Sequence, residues 1–288
     1  MATKIVILLG PTCVGKTAYS LTLARQWGSP IINCDSRQVF QELAIGVARP
    51  PQALLEQVRH YFIATHSIHQ PYSAGQYELE AWDLVRQLAP SHETLLMVGG
   101  SGLYIDAFCH GMDDFPSPDP ELRAELNALL DSEGGLEQLR AQLQRMDPET
   151  YRTLDLSNRR RVLRAVEVCL LSGRPYASFK SHPDKERPFP IEKIGLDCPR
   201  DVLYDRINAR VDAMVEEGLE AEARALYPFK DLPALQTVGY REWFDCFDGL
   251  ITPAKAVELI KRNTRHYAKR QMSYWRRDPE IQWIRVDQ

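Results

Sequence analysis

The chain has 288 residues, a formal net charge of −4 and an apolar content of 44%. This length allows one large α/β core with a smaller lobe, and the slightly acidic balance means that any nucleic-acid contact must come from local basic patches.

No apolar stretch is long enough to cross a bilayer, and Met1–Lys4 runs directly into the first predicted strand, so no signal peptide is expected. The six cysteines are scattered without a Cys-x-x-Cys pair, so we expect a reduced cytoplasmic protein with neither a zinc site nor a disulfide framework.

A phosphate-binding loop follows the first predicted strand. The strand, Ile5–Leu9, is apolar and β-branched, which is typical of a buried parallel strand. The loop after it reads Gly10-Pro11-Thr12-Cys13-Val14-Gly15-Lys16-Thr17. Its glycines let the backbone curl so that N–H groups face phosphate oxygens, and the helix that follows adds the positive end of its dipole. Lys16 supplies a positive charge and the Thr17 hydroxyl is placed to bind Mg²⁺, so the segment predicts a phosphate site with a magnesium ion.

Two further segments follow predicted strands. Ile31–Cys34 predicts the second strand and leads into Asp35-Ser36-Arg37-Gln38, where Asp35 is a candidate general base or metal ligand. The alternative is that Asp35 caps the next helix. Leu95–Val98 predicts the third strand, and the turn Gly99-Gly100-Ser101-Gly102-Leu103-Tyr104 could present N–H groups and the Ser101 hydroxyl to a second anion or to the substrate. Ligands of doubly wound sheets bind beyond the carboxyl ends of the strands, where these segments are expected to lie.

The alternation of strands and helices predicts an α/β fold, with a P-loop NTPase-like parallel sheet flanked by helices. The proline-rich segment Phe115–Pro120 breaks this pattern, and the polar stretch after it is helical and poor in strands. Ile191–Asp197 returns to strand character and is expected to rejoin the sheet. The predicted domains are a catalytic core of residues 1–115 and 191–288 and an inserted helical domain of residues 116–190.

Two features of nucleotide hydrolases are missing from the sequence. The third strand ends in glycine rather than in the Asp that usually holds Mg²⁺, and there is no Asn-Lys-x-Asp guanine-recognition motif. The loop is therefore compatible with a diphosphate that is not part of a nucleoside triphosphate.

Basic residues cluster in two places. The first cluster, Arg159-Arg160-Arg161 with Arg164, lies in the insertion. The second lies on a predicted helix that begins near Pro253 and has no acidic residue between Glu258 and Asp278; its basic residues are Lys261, Arg262, Arg265, Lys269, Arg270, Arg276 and Arg277. Tyrosines and a tryptophan lie among them, a combination that favours contact with an RNA backbone and an unstacked base over the alternative of a solvated basic helix.

Further motifs occur in a fixed order along nearly the whole chain. They are Asp35-Ser36-Arg37-Gln38-Val39-Phe40, Ile45-Gly46-Val47-Ala48-Arg49-Pro50, Tyr72-Ser73-Ala74, Gly99-Gly100-Ser101-Gly102-Leu103-Tyr104, Arg161-Val162-Leu163-Arg164-Ala165-Val166-Glu167, Gly239-Tyr240-Arg241-Glu242 and Thr264-Arg265-His266-Tyr267-Ala268-Lys269-Arg270-Gln271. Together with the phosphate loop, this ordered set resembles the bacterial tRNA dimethylallyltransferases, also called tRNA isopentenyltransferases. The phosphate loop alone is shared with many enzymes, whereas the ordered set is highly specific.

The sequence departs from the family pattern at a few positions. Ser101 stands where the family usually has Thr, and Phe62-Ile63-Ala64 replaces the usual Leu-Ile-Asp. The family's Asp-Ile-Gly-Thr-Ala-Lys-Pro segment is Ala44–Pro50 here, with Ala44 in place of the Asp and Val47 in place of the Thr. The zinc finger of some eukaryotic relatives is absent from the sequence.

The resemblance implies that N6 of adenosine 37, next to the tRNA anticodon, attacks the allylic carbon of dimethylallyl diphosphate and that diphosphate leaves. The adenine must be flipped out of its stack, because an exocyclic amine cannot be reached inside it. The implied partners are the tRNA anticodon stem-loop and dimethylallyl diphosphate, with Mg²⁺ as cofactor, no membrane, and a monomeric state.

The resemblance also implies roles for individual residues. Lys16, Thr17, Asp35 and Ser101 are the predicted catalytic residues, with Asp35 accepting the amine proton and Thr17 holding the metal. The diphosphate is expected on the Gly10–Thr17 loop and on Arg206 and Arg210, which lie four residues apart on one helix face, although ion pairing on the helix surface is the milder explanation for these arginines. The predicted tRNA-binding residues are Asp35, Ser36, Arg37, Gln38, Ser101, Arg123, Arg159, Arg160, Arg161, Val162, Leu163, Lys269 and Arg270.

Two other functions use some of the same residues. A P-loop small-molecule kinase would share the loop and would need to bind ATP productively. A non-enzymatic RNA-binding ATPase would use the basic helix and would not need Asp35.

Overall fold

The computed structural model describes residues 3–180 and 185–286 of the chain. The chain divides into two compact units, one formed by Met1–Gly111 with Glu186–Gln288 and the other by Met112–Lys185. We call them the core unit and the insertion unit. The sequence-based boundaries of the insertion, at residues 116 and 190, lie a few residues from these limits.

The core unit is built on one sheet of six parallel strands. The strands are β1 (Lys4–Leu9), β2 (Ile31–Cys34), β3 (His60–Tyr61), β4 (Thr94–Gly99), β5 (Ile191–Asp197) and β6 (Ile281–Arg285). Their order in the sheet is β3-β2-β4-β1-β5-β6. The predicted α/β fold with a parallel sheet is confirmed, and β2 and β5 have the bounds that the sequence predicted.

The described residues also form twelve α-helices, which are distributed over both units. In chain order they are α1 (Lys16–Trp27), α2 (Gln52–Leu55), α3 (Ala74–Leu88), α4 (Gly102–His110), α5 (Pro120–Asp131), α6 (Gly135–Met146), α7 (Pro148–Thr153), α8 (Arg159–Ser172), α9 (Arg200–Glu216), α10 (Leu219–Leu226), α11 (Arg241–Phe247) and α12 (Pro253–Trp275). None of them is long and apolar enough to cross a membrane. Helices α5 to α8 belong to the insertion unit, and the others belong to the core unit.

The register of the central strands brings three loops to one edge of the sheet. Leu9 at the end of β1 pairs with Gly99 on one side and with Gly195 on the other, and Cys34 at the end of β2 also pairs with Gly99. The strands β1, β2 and β4 therefore end at the same level. The segments that follow them, which carry the predicted site residues, meet there as expected for a doubly wound sheet.

Helix α12 is the longest helix of the core unit and forms one wall of the site. Thr252 caps it by accepting a hydrogen bond from the Lys255 N–H at 3.2 Å, and Pro253 occupies the first turn, where no N–H partner is needed. Its buried residues include Ile260, which packs in one apolar cluster of the core unit, and Ala268, which packs in another beside the phosphate loop. Helix α12 is thereby fixed by burial at two levels along its length.

Candidate active site

A cavity of about 750 Å³ opens at the carboxyl edge of β1, β2 and β4. Its lining brings together the phosphate loop, the segment after β2 and the middle of α12. Predicted site residues on its wall are Thr12, Cys13, Gly15, Lys16, Thr17, Asp35, Ser36, Arg37, Gln38, Arg206, Arg210 and Arg270. We call it the loop cavity.

The phosphate loop has the curled backbone that its glycines predict. Gly10, Cys13 and Gly15 all have positive φ, with values of 153°, 65° and 106°. Gly15 is the N-cap of α1, and no side chain caps that helix. The first N–H groups of α1 are consequently available to an anion in the loop cavity. A side chain at Gly10 is also excluded sterically, because its Cβ would lie 2.8 Å from the Leu196 carbonyl oxygen.

The side chain of Lys16 folds back onto the backbone of the phosphate loop. Its Nζ donates hydrogen bonds to the carbonyl oxygens of Gly10 at 2.7 Å and Pro11 at 2.8 Å. Burial lowers the pKa of this ammonium group to about 8, while the nearby Asp35 carboxylate partly opposes the shift. The side chain is therefore a poorly solvated cation beside the expected position of a phosphate.

Gln271 on α12 connects the phosphate loop to the segment after β4. Its Oε1 accepts a hydrogen bond from the Thr12 N–H at 2.9 Å, and its Nε2 donates to the Gly100 carbonyl at 2.8 Å. The side chain is buried, and its bond to Gly100 is shielded from water, whereas its bond to Thr12 is partly buried. Sequence reasoning named Gln271 only as part of a family motif, because its partners are far away along the chain.

Asp35 organises the turn after β2 and still faces the loop cavity. Its Oδ1 accepts hydrogen bonds from the N–H groups of Arg37 at 2.9 Å and Gln38 at 3.3 Å. No helix starts here, so the carboxylate caps a turn and not the helix of the alternative prediction. Oδ2 receives no hydrogen bond from the residues that the structure describes, which leaves it available to a ligand of the cavity.

Ser101 forms hydrogen bonds with Ser36 in this turn. Its Oγ accepts a hydrogen bond from the Ser36 N–H at 2.8 Å, and its hydroxyl donates to Ser36 Oγ at 3.1 Å. The side chain is buried and does not line the loop cavity. The structure thus gives Ser101 a positioning contact with the Asp35 turn, whereas contact with a substrate stays a prediction.

Arginines of α9 reach the phosphate loop from the opposite side. Arg206 donates from Nη1 to the Val14 carbonyl at 3.5 Å, and Arg210 Nη1 lies 3.5 Å from Cys13 Sγ. Neither forms an ion pair within residues 3–180 and 185–286. Arg241 and Arg270 also line the loop cavity, and Arg241 was given no role from the sequence. The wall around the phosphate loop is therefore strongly basic.

Another part of the lining of the loop cavity is apolar. The side chains that share this character are Val47, Ile207, Val211, Met214, Val238 and Ile260. A small branched hydrocarbon fits this lining, because apolar groups gain free energy by leaving water.

The altered segment Ala44–Pro50 is held by a carboxylate from α10. Glu222 accepts hydrogen bonds from the N–H groups of Ala44, Ile45 and Gly46 at 3.2, 2.8 and 2.9 Å, and from the Tyr240 hydroxyl at 2.6 Å. On the cavity side, Gln38 Nε2 donates to the carbonyls of Val47 at 3.1 Å and Ala48 at 3.0 Å. The segment is thus fixed through its backbone, and none of these contacts needs a side chain of residues 44–50.

The basic residues of α12 do not act as one surface. Lys261 pairs with Asp212 at 2.7 Å, and Arg265 donates to Asn208 Oδ1 at 2.6 Å, so both side chains attach α12 to α9. Lys269 and Arg270 are exposed, but Arg270 lines the loop cavity and Lys269 lines a different one. The stripe expected from helical spacing is therefore partly occupied by packing contacts.

The predicted RNA-binding residues of the insertion unit form two groups, one of paired or buried side chains and one of exposed side chains without an ion pair. Arg123 and Arg164 both pair with the fully buried Glu167, and Arg159 pairs with Asp131 at 2.9 Å. Val162 and Leu163 are buried in the apolar core of the unit, so their side chains cannot reach RNA in this arrangement. Arg160 and Arg161 are exposed and form no ion pair within the described part of the chain, which makes them the remaining candidates.

The family model and the similar proteins with curated names all indicate one family. The family model for "IPP transferase" matches residues 38–278. The "tRNA dimethylallyltransferase 2" of Porphyromonas gingivalis is 51% identical over 278 residues, which is 96% of this chain and 92% of the relative. The "tRNA dimethylallyltransferase" of Christiangramia forsetii is 46% identical over 288 residues, which is 100% of this chain and 95% of the relative.

Solved structures agree with the sequence relatives. The full-length tRNA isopentenylpyrophosphate transferase of Bacillus halodurans superposes with a TM-score of 0.72 and 36% identity, over 99% of this chain and 91% of that chain. A eukaryotic dimethylallyltransferase acting on tRNA gives a TM-score of 0.83 over 99% of this chain and 74% of that chain, and its 22% identity supports a shared fold.

Proposed function

This chain belongs to the IPP transferase family, and we propose that it transfers a dimethylallyl group from dimethylallyl diphosphate to N6 of adenosine 37 in tRNA. The observation that carries the proposal is the composition of the loop cavity. A phosphate loop, an available carboxylate oxygen and an apolar wall lie around one space of about 750 Å³. These are the three elements that prenyl transfer to an amine requires: a leaving-group site, a base and a place for the hydrocarbon.

The phosphate loop is proposed to bind the diphosphate. The N–H groups of the loop and Lys16 stabilise the negative charge that develops on the bridging oxygen as the C–O bond breaks. Arg206 and Arg210 approach the loop from α9 and add positive charge on the other side. Since Lys16 already lies at the carbonyls of Gly10 and Pro11, it needs little reorganisation to meet the diphosphate.

A magnesium ion fits this arrangement. Thr17 is exposed and lines the loop cavity at the start of α1, and Mg²⁺ is commonly held by one such hydroxyl oxygen together with substrate phosphates and water. Among the described residues, no three His, Cys, Asp or Glu side chains form a metal cluster, so substrate oxygens are expected to supply most ligands. When bound, the ion neutralises charge on the leaving diphosphate.

Asp35 is proposed as the general base. The adenine N6 forms a bond to the allylic carbon while the bond from that carbon to the diphosphate oxygen breaks, and a proton passes from N6 to Oδ2 of Asp35. The two hydrogen bonds to Oδ1 fix the carboxylate, so that Oδ2 can also orient the amine. The adenine must leave its stack to reach this position.

Exposed basic side chains in each unit are proposed to bind the anticodon stem-loop. Arg160 and Arg161 serve this role in the insertion unit, and Lys269 and Arg270 serve it in the core unit. Their number is small, which is consistent with a protein whose net charge is negative.

The direct test is to incubate the protein with unmodified tRNA, dimethylallyl diphosphate and Mg²⁺ and to measure the mass of adenosine 37. We expect a gain of one dimethylallyl group that depends on all three additions. A parallel assay with ATP and no prenyl donor measures phosphate transfer and hydrolysis. Phosphate transfer to a small molecule would support a kinase, and hydrolysis with RNA binding alone would support an RNA-binding ATPase.

Binding of dimethylallyl diphosphate should weaken as the pH rises above about 8. The free protein loses the Lys16 proton near that pH, whereas the bound diphosphate requires the ammonium form. Below the pKa binding should be almost independent of pH, and above it the dissociation constant should rise by up to about tenfold per pH unit because binding takes up a proton. Titration calorimetry from pH 7 to pH 10 measures this. The Lys16→Arg variant is the control, since its guanidinium stays charged and its curve should be flat; a flat curve for the unaltered protein would contradict the assignment.

Replacing Glu222 with glutamine should loosen the Ala44–Pro50 segment. Each carboxylate oxygen of Glu222 accepts two hydrogen bonds. A glutamine replaces one of these oxygens with an NH₂ group, which cannot accept a hydrogen bond, so two of the four donors lose their acceptor. We expect a loss of about 1–3 kcal/mol in unfolding free energy. The KM for dimethylallyl diphosphate should rise more than kcat falls, because Gly46 and Ala48 line the loop cavity. Thermal unfolding and steady-state kinetics measure both effects. Glu220→Gln on the same helix is the matched control, and equal behaviour of the two variants would argue against the role of Glu222 in holding the Ala44–Pro50 segment.

A further inference from the structure

A second large cavity lies beside the loop cavity in the core unit. Its volume is about 940 Å³, and it is lined by parts of residues 44–55 and 59–64 and by the second half of α9. We call it the side cavity. A hydrocarbon suits much of its wall, because apolar groups gain free energy by leaving water. The apolar residues that line it and do not line the loop cavity are Ala44, Ile45, Pro51, Leu55, Ala64 and Ala213.

The two cavities meet beside the phosphate loop. Thr17 and Arg210, which lie at the expected position of the diphosphate, line both of them. The other residues that the two cavities share are mostly apolar and include Ala48, Ile63 and Met214. A ligand whose diphosphate binds the phosphate loop can therefore extend a hydrocarbon chain into the side cavity along apolar side chains.

The charged groups of the side cavity are solvated by the backbone or lie at its exposed rim. Arg49 donates to the carbonyl oxygens of Phe40 at 2.9 Å and Gln41 at 2.7 Å, so its guanidinium group is directed at the backbone. Arg59 and Glu217 are exposed and carry opposite charges. The apolar part of the wall has no such solvation, and it gains free energy only by contact with another apolar group.

Departures from the family pattern fall on the walls of these two cavities. Ala44 and Ala64 stand where the pattern has Asp, and both line the side cavity. Val47 stands where the pattern has Thr, and it lines the loop cavity. Each change removes a polar group that a hydrocarbon ligand would have to desolvate. The sequence of this chain therefore makes the space more apolar than the family pattern would.

The backbone of the shared wall is strained. Ala48 and Ala64 have φ values of 50° and 52°, in the left-handed region that residues with a Cβ atom rarely adopt. In the part of the chain that the structure describes, the other non-glycine residues with positive φ are Cys13, which lines the loop cavity, and Phe62, which precedes Ile63. Strain of this kind is typical of sites that are shaped for a ligand.

We propose that the side cavity holds the second isoprene unit of a longer allylic diphosphate, so that the protein accepts geranyl diphosphate as well as dimethylallyl diphosphate. The inference rests on the proposed function and names a wider class of donor for the same site. The adenine N6 forms a bond to C1 of the geranyl chain while the bond from C1 to the diphosphate oxygen breaks, and Asp35 takes the proton from N6. The diphosphate leaves from the phosphate loop, as it does with the shorter donor.

A phenylalanine in place of Ala213 fills the side cavity without altering the loop cavity. Ala213 is exposed on α9 and lines only the side cavity of the two. The added ring occupies space that the second isoprene unit needs. We expect the dissociation constant of geranyl diphosphate to rise at least about tenfold, the equivalent of roughly two buried methylene groups, and that of dimethylallyl diphosphate to change less than about twofold. Titration calorimetry in the absence of RNA measures both constants, because no acceptor is then present.

Ala209→Phe is the matched control, since Ala209 is exposed four residues earlier on α9 and lines neither cavity. A second variant, Ala64→Asp, adds a charge to another part of the wall, and Asp adopts the left-handed conformation of this position more readily than Ala. It should also weaken binding of geranyl diphosphate selectively, whereas Ala64→Gly, which adds no charge, should not. The mass of the modified anticodon stem-loop then gives the ratio of geranyl to dimethylallyl transfer with both donors present, and this ratio should fall in Ala213→Phe and in Ala64→Asp.

Three results would overturn the proposal. If the unaltered protein binds dimethylallyl diphosphate but not geranyl diphosphate, the side cavity does not accept a longer chain. If Ala213→Phe weakens both donors equally, the cavity is at most a path to the loop cavity, and if Ala209→Phe has the same effect, the helix and not the cavity is responsible. A protein that binds both donors in the expected pattern but transfers neither to RNA would overturn the proposed function and leave the hydrocarbon site in place.

Discussion

Replacing Asp35 with asparagine should lower the rate of the chemical step by about two to four orders of magnitude. In this structure the substitution should remove the proton acceptor and leave the turn after β2 intact. An asparagine oxygen can still accept the hydrogen bonds from the Arg37 and Gln38 N–H groups, so the turn should be kept. An amide group in the place of Oδ2 cannot take a proton from N6, and it presents a donor where an acceptor is needed.

Single-turnover transfer at saturating tRNA and dimethylallyl diphosphate measures this step without product release. Asp106→Asn is a suitable control, because Asp106 bonds to the Tyr274 hydroxyl in the same unit and does not line the loop cavity. The affinity for dimethylallyl diphosphate should change little, since the phosphate loop holds it. A variant that turns over at nearly the original rate would remove Asp35 from the mechanism.

The local motifs of this chain could be predicted well because their physics is local. A buried β-branched run, a glycine loop and a capped helix are each specified within a few residues, so β2, β5 and the phosphate loop lie where the sequence placed them. The resemblance to bacterial tRNA dimethylallyltransferases is confirmed by the relatives and by the family model. Strands β3 and β6 were missed: β3 has two residues, and β6 is a mostly exposed edge strand whose neighbours in the sheet decide its conformation.

The supporting contacts of the site could not be predicted in the same way. Gln271 and Glu222 act on loops that are more than 170 residues away in sequence, and neither residue type carries a signal by itself. Their bonds to backbone N–H groups arise only when the sheet order brings α10 and α12 beside the early loops. A buried Gln with both ends used is therefore a property of the fold and not of a motif.

The sequence could not show which basic side chains are already paired with carboxylates in the folded chain. The cluster Arg159–Arg164 looked like one surface, but buried Glu167 holds Arg164 and exposed Asp131 holds Arg159. On α12, Lys261 faces Asp212 in the same way. An ion pair between distant segments is invisible in a linear sequence, so only the arginines and lysines left over after folding are candidates for RNA.

Replacing Lys16 with alanine should lower the rate of transfer by about two to three orders of magnitude, as expected for loss of a preorganised charge at a leaving group. The ammonium group lies 2.7 and 2.8 Å from the Gly10 and Pro11 carbonyls, so alanine removes both the charge and two contacts that close the loop. Lys16→Arg separates these effects, because it keeps the charge with a different shape. Added Mg²⁺ should not restore the alanine variant, whereas it should partly restore Thr17→Ala, whose defect is weaker metal binding.

Single-turnover transfer over a range of Mg²⁺ concentrations distinguishes the two residues. Lys261→Ala is the control for general loss of a lysine, since its partner Asp212 lies on the surface of α9 and neither residue lines the loop cavity. Circular dichroism and binding of the stem-loop show whether the fold is kept. Rescue of the Lys16 variant by Mg²⁺ would mean that the lysine serves mainly to recruit the ion. Full activity of the unaltered protein in a chelator would show that the metal role of Thr17 is wrong and that the loop N–H groups, Lys16, Arg206 and Arg210 stabilise the leaving diphosphate without a metal ion.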